Sequence, residues 1–312
     1  MTYIWYEDNK GEQQPIDKML ANVLETFAFN LRYDWDLVIL VSGNRMVRVG
    51  KSVLAIQICS YLAYLLRKLK MNNDAYTIDS IYFDNKKLMS EAIKKPKFSI
   101  IHYDEGREGL AASKSMSAMQ QDLIDYFTEC GQLNHIFVIV LPDFFDLKET
   151  MAVPRSECLI NVSREYKMVD SPYEDGKKIV KWDRGYFKFY NREAKNQLYD
   201  IFRTTRRKDY DVTKPSFPQG QFENRYPLIT KEAYEPLKLA ALTRFKESKG
   251  EDKLSNRAKK GYMQRNLLIK TLVENGMKQV DVAKKLGVTE GEVSRCVRQH
   301  DYTFDSSNVV ES

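Results

Sequence analysis

Hydrophobic and polar positions change period several times along this chain, and each change marks an element. Residues 37–41 read Leu-Val-Ile-Leu-Val, an unbroken apolar run of the length of a buried strand. Past Gly50 the period lengthens, with Val53, Leu54, Ile56, Ile58 and Leu62 at helical spacing. Residues 98–103 and 135–141 repeat the strand pattern, and residues 158–162 give a shorter version. A helix is predicted over residues 113–130, where Met116, Met119, Leu123 and Phe127 are separated by polar positions. Solid apolar strands alternating with helices predict an α/β fold, a parallel sheet covered on both faces.

The pattern shifts toward the two ends. Apolar Met19, Leu20, Val23, Leu24 and Phe27 predict one helix over residues 16–31, so residues 1–35 read as an N-terminal helical extension. The core sheet is expected over residues 36–164. From Glu165 strand-like segments at 166–169 and 178–182 flank the turn-rich residues 170–176, and residues 185–190 follow. This predicts an inserted β-hairpin, whose aromatics serve either cross-strand packing or the stacking of nucleic-acid bases. A charged helix over residues 230–249 completes a domain ending at residue 247. Residues 248–256, polar and without apolar anchors, read as a linker.

Residues 257–300 carry a third pattern. A helix stops at Gly276, a short one runs into Gly287, and Thr289 is placed to cap residues 290–299, with Val293 and Val297 expected to face inward. Small Ala283 at the helix crossing and Gly287 in the turn match a helix-turn-helix. Its exposed side would present Gln279, Thr289, Glu290, Glu292, Ser294, Arg295 and Arg298. A three-helix protein-binding module fits the same pattern. Residues 301–312 form an acidic tail.

The candidate chemistry sits where the first strand meets its helix. Val49-Gly50-Lys51-Ser52-Val53 matches the end of the phosphate-loop consensus G-x-x-x-x-G-K-[ST], with Arg45 at the first glycine position and Gly43 two residues earlier. Gly50 lets backbone approach phosphates, N–H groups from Val49 to Val53 face an anion, Lys51 reaches the β/γ oxygens, and the Ser52 hydroxyl is a magnesium ligand. Residues 98–103 end in Asp104-Glu105, which suits Asp104 to hold magnesium and Glu105 to polarise an attacking water. Asp143, after the next strand, is either a γ-phosphate sensor or a turn residue. Arg155, before the fourth strand, is either an arginine finger acting on its own or a neighbouring subunit's nucleotide, or a surface arginine or salt-bridge partner.

Composition narrows the class. A chain of 312 residues, 43% hydrophobic and 29% charged, supports one ample core and a smaller unit. No apolar run approaches the roughly twenty residues of a membrane span, and the first residues carry no signal-peptide pattern. Four cysteines without C-x-x-C spacing suggest reduced thiols in a cytoplasmic protein, and three dispersed histidines argue against a zinc site. The net charge of +6 is unevenly spread: residues 244–300 hold 14 basic against 7 acidic residues, whereas residues 1–243 hold 35 against 33. That asymmetry points the C-terminal module toward a polyanion.

Together, Val49-Gly50-Lys51-Ser52, Tyr103-Asp104-Glu105-Gly106, Leu133-Asn134, residues 139–147 and Arg155-Ser156 followed by residues 159–162 resemble a family. It comprises the P-loop ATPases of phages, plasmids and archaeal elements often labelled zonula occludens toxin-like, related to the HerA/FtsK translocases. The resemblance spans residues 35–235. It implies a RecA/FtsK-like P-loop NTPase sheet, magnesium-dependent ATP hydrolysis, homo-oligomeric assembly up to a ring, and handling of an element's double-stranded DNA, in the host cytoplasm if the element is viral. The expected function is an ATPase driving DNA translocation or packaging. Two alternatives stand beside it: an ATP-gated DNA-binding regulator or partition factor, and a replication initiator or helicase-loader ATPase.

Overall fold

The computed structural model describes residues 2–43, 46, 48–104, 131–250 and 256–298. Arg45, Glu105, the helix expected over residues 113–130 and the acidic tail lie outside them. The chain divides into two compact units, Met1–Phe245 and Lys246–Ser312.

The first unit is a mixed α/β structure. Its elements run β1 (Tyr3–Glu7), β2 (Gln13–Asp17), α1 (Lys18–Asn30), β3 (Leu37–Ser42), α2 (Lys51–Lys68), β4 (Ile81–Tyr82), α3 (Asn85–Ala92), β5 (Ile100–Asp104) and β6 (Ile136–Val140). They continue with β7 (Cys158–Asp170), β8 (Lys178–Tyr190), α4 (Arg192–Thr205), β9 (Gly220–Gln221) and α5 (Lys231–Gly250). One seven-stranded sheet has the order β4-β5-β6-β3-β7-β8-β9. The strands from β4 to β7 are parallel, while β8 and β9 add antiparallel at one edge. Strand β6 therefore lies between β3 and β5, and register aligns Val41 and Asp104 with the same residue, Val140.

Every residue of β3, β5 and β6 is buried, which is why these strands read as unbroken apolar runs. One face packs Ile39, Val41 and Val138 against α1 and α2, and the other packs Leu40, Ile101 and Ile139 with Leu88 of α3 and Leu198 of α4. Helix α2 is enclosed on nearly all sides, so its polar Gln57 and Ser60 must find partners inside. Gln57 donates to the carbonyls of Glu223 (2.6 Å) and Arg225 (3.0 Å), and Ser60 to that of Pro227 (3.0 Å). These bonds fasten the stretch before α5 along the helix that starts the candidate site.

Several expectations need correction. Residues 1–35 are not a helical extension: β1 and β2 form an antiparallel hairpin ahead of α1, and Leu20, Leu24 and Ala28 of α1 belong to the main core. The hairpin is not a separate insertion either, because β7 and β8 are 13-residue strands whose lower halves belong to the sheet and whose upper halves continue as the paired arm. Residues Ser248 to Gly250, read as linker, are helical and end α5.

The second unit holds α6 (Asn256–Glu274), α7 (Gln279–Leu286) and α8 (Glu290–Arg298). Ile269, Val282, Ala283, Val293 and Cys296 form its core. Val297 is 38% exposed, and Cys296 occupies the inward position expected for it. Gly287 closes α7 in the left-handed region at φ 66°. Among the described residues no helix is long and apolar enough to cross a membrane.

Candidate functional site

Strand β3 delivers the chain to a loop at the C-terminal end of the parallel sheet, the edge where open α/β sheets hold ligands. Gly50 caps α2 at φ 103°, a conformation L side chains rarely adopt, and a Cβ there would also lie 2.9 Å from the Phe222 ring. Val49 is buried in the main core and Val53 nearly so, which fixes the loop's end to the sheet. Lys51 folds back and donates from Nζ to the Met46 carbonyl at 3.0 Å. Burial pulls its pKa down, with the Asp104 carboxylate opposing and the Lys238 ammonium adding to the shift.

Gly43 takes part although it falls outside the consensus position. A Cβ at Gly43 would approach Lys51 Cδ to 2.8 Å, Lys51 Nζ to 3.0 Å and Val49 Cγ2 to 3.0 Å. The lysine thus lies across a glycine seven residues before Gly50, in a loop longer than the consensus.

Asp104 ends β5 and is buried. Its carboxylate accepts a short hydrogen bond from the Tyr234 hydroxyl and another from Lys238 Nζ at 3.2 Å. Lys238 Nζ also donates to Ser52 Oγ at 2.9 Å and to the Tyr234 hydroxyl at 3.1 Å. Burial pushes the Asp104 pKa up, but the Lys238 ammonium, His102 and the hydroxyls of Tyr234 and Ser52 outweigh it and hold the group below its ordinary value. The ionised carboxylate and the Ser52 hydroxyl, expected as magnesium ligands, therefore converge on one cation, the ammonium of Lys238.

A second polar chain crosses the same edge of the sheet. Ser42 Oγ lies 3.4 Å from Asn161 Oδ1 and 3.2 Å from the Tyr210 hydroxyl, which donates to Asp143 Oδ1 at 2.9 Å. Asp143 also caps the following turn through the Phe145 N–H at 3.3 Å. Asp143 is thus a buried turn-capping residue at the end of β6, and its charge still acts on Lys51. Arg155 is not brought to this cluster. It precedes β7, next to the stretch where the Glu157 N–H bonds the Val38 carbonyl, at the opposite end of the strands from Ser42.

Neither Lys238, Tyr234 nor Tyr210 was singled out by the sequence pattern. Lys238 and Tyr234 are four residues apart on α5, a spacing that places them on one helical face but says nothing of what that face meets.

Magnesium needs few protein ligands when phosphates and water supply the rest, and it takes hard oxygen donors. A buried, ionised Asp104 beside Ser52 Oγ, with a cation already drawn to both, meets that requirement. Glu105 follows in sequence, outside the described residues.

In the second unit Gln279, Thr289, Glu290 and Arg295 are exposed, Ser294 is half-buried, and Arg298 ends α8. The Thr289 side chain is already engaged: its Oγ1 accepts from the Glu292 N–H (3.3 Å) while Glu292 Oε2 accepts from the Thr289 N–H (3.0 Å). This is a capping box, and the Thr289 bonds hold the Glu292 pKa down. Glu292 therefore has a structural use beside Arg265, whose Nη1 is 3.9 Å away.

No protein-family model, curated protein or solved structure matches the chain.

Proposed function

We propose that the first unit is a RecA/FtsK-like P-loop ATPase and that the second is a helix-turn-helix reading double-stranded DNA. One observation carries the ATPase reading. A glycine-capped helix N-terminus, the Lys51 amine, the Ser52 hydroxyl and the Asp104 carboxylate all meet at the C-terminal edge of a parallel sheet. The strand order supports it, because β6 lies between the loop strand β3 and the acidic strand β5.

In this reading the N–H groups at the start of α2 hold the phosphates, with Lys51 released from the Met46 carbonyl to reach them. Ser52 and Asp104 hold magnesium, which when bound neutralises charge on the phosphate oxygens. Glu105 positions the water. Arg155, remote from its own loop, would act only on a neighbouring subunit's nucleotide in a homo-oligomeric ring. The work done would be translocation or packaging of a mobile element's DNA, in the cytoplasm of its host, as the family resemblance implies.

The cation already held between Ser52 and Asp104 favours a second reading, in which ATP gates DNA binding rather than driving movement, as in a regulator or partition factor or in a replication initiator ATPase. ATP turnover with and without non-specific duplex separates the two. Strong stimulation is expected of the motor; slow turnover with tight binding to one short site would sink it. Lys51→Ala should abolish nucleotide binding, and Glu105→Gln should bind ATP but not turn it over. Unchanged turnover in both variants would refute the ATPase itself.

A further inference from the structure

We propose that Lys238 is an internal latch: its ammonium closes the metal position of the phosphate loop and must leave before a metal–nucleotide complex can seat. The proposal rests on the P-loop reading and adds a means of regulating it.

The ammonium has three protons, and each has an oxygen in reach: Ser52 Oγ at 2.9 Å, Tyr234 Oη at 3.1 Å and Asp104 Oδ2 at 3.2 Å. Two of these oxygens are the groups a phosphate-loop magnesium ion uses. Asp104 is almost fully buried, and a buried carboxylate is strongly disfavoured without a counter-charge. Lys238 supplies that counter-charge from within the chain. A dication drawn to the same oxygens would meet a positive group already in place, so the two cations exclude each other.

The carrier of the latch is suited to moving. Along α5 the residues Glu235, Pro236, Leu237, Leu239 and Ala240 are exposed, so Tyr234 and Lys238 are the side chains that tie this stretch to the sheet. Pro236 lies between them and lacks the N–H that would bond the Glu232 carbonyl, which weakens the helix at that turn. Releasing Lys238 therefore leaves buried Tyr234 as the remaining tie of this stretch and loosens the turns of α5 beyond Pro236. Metal–nucleotide binding and the position of α5 then become linked, each shifting the other by the same factor.

The test uses the full chain, a fluorescent ATP analogue and titrated magnesium. Lys238→Met and Lys238→Gln should both lower the magnesium concentration needed for half-maximal nucleotide binding, by about tenfold if the latched state is the major one. In the unsubstituted protein, hydrogen exchange at residues 235–245 should speed up on adding magnesium with a non-hydrolysable ATP analogue. It should stay unchanged with the analogue and EDTA. Nucleotide binding that is abolished by Lys51→Ala but weakened or unmoved by both Lys238 variants, with exchange in α5 unaltered, overturns the latch alone. Absence of nucleotide binding in every form of the protein overturns the latch together with the P-loop reading.

Discussion

Gly43 shows how a loop that departs from its consensus still makes a lysine berth. The consensus position holds Arg45, yet the space beneath the Lys51 side chain is provided by Gly43, where a methyl group would crowd Cδ, Nζ and the Val49 side chain. Gly43→Ala is expected to cost about 1 kcal/mol in stability, the low end for overpacking, because the crowded atoms are mainly the flexible end of Lys51, with Val49 Cγ2 the stiffer neighbour. It should also weaken nucleotide binding at least roughly tenfold, since 1.4 kcal/mol of misplaced lysine is already that factor. Thermal melts and nucleotide titration read the two effects; an unchanged affinity would remove Gly43 from the site. His102, two residues before Asp104, gives a pH prediction. It is fully buried, bonds the Tyr76 hydroxyl through Nδ1 at 2.9 Å, and leaves Nε2 without a partner among the described residues. Burial lowers its pKa from 6.5 to about 4, against the pull of Asp104. A folded-state value below the unfolded one means the unfolded chain takes up the proton first. Stability is thus fully present above pH 6.5, falls as the pH drops toward 4, and levels off below. Urea unfolding should show the unsubstituted protein losing on the order of 3 kcal/mol more than His102→Gln across that window. A pH-independent difference between the two would contradict the buried neutral imidazole.

At the scale of elements, legibility followed burial. Strands β3, β5 and β6 are enclosed on both faces, so their apolar runs announced them. Strands β4 and β9 are two residues long and have no period to read. The β1–β2 hairpin hid behind polar Gln13 and Gln14 and a proline at residue 15, although Asp17, which caps α1 through the Met19 and Leu20 N–H groups, was a readable helix start. In α8 the choice between Cys296 and Val297 for the inward position turned on one residue of helical phase after Val293, and hydrophobicity alone chose wrongly. The loop residues and Asp104 were singled out by their match to the phosphate-loop pattern, and the packing brings Ser52 and Asp104 to one cation, Lys238, at the same end of the sheet. Lys238 was not singled out, because it meets Ser52 across 186 residues of sequence and only the packing of α5 brings it there. The capping box at Thr289 tests the second unit as an element. Thr289→Ala should cost about 1 kcal/mol, confined to that unit. Amide exchange in residues 290–298 should accelerate while α2 keeps its protection; a uniform change along the chain would mean the two units do not unfold separately.

Across the whole molecule the charge asymmetry and the proposed latch address the same question, how the proposed nucleotide site and a basic module would share one chain. The basic excess of residues 244–300 appears on exposed Lys278, Lys284, Lys285 and Arg295 of the helical unit, and Glu292, the acid that would oppose a phosphate backbone, is held by Thr289. Arg295 is exposed on α8 with its Nε bonded only to the Gly291 carbonyl of its own helix at 3.3 Å among the contacts described, so its charge is available to a polyanion. If duplex DNA is that partner, binding must weaken with salt in proportion to the phosphates neutralised. Arg295→Ala should then lower affinity and reduce the slope of log K against log salt by about one if the contact is to phosphate. If the arginine reads a base, one sequence should lose about 1–3 kcal/mol while others are spared. Removing residues 251–312 should abolish the salt-sensitive part of binding and leave magnesium-dependent nucleotide binding by the first unit intact. DNA affinity and salt slope that survive the truncation would place the nucleic-acid surface on the first unit, and the exposed Tyr166, Trp182 and Tyr173 of the β7–β8 arm would become the next residues to substitute.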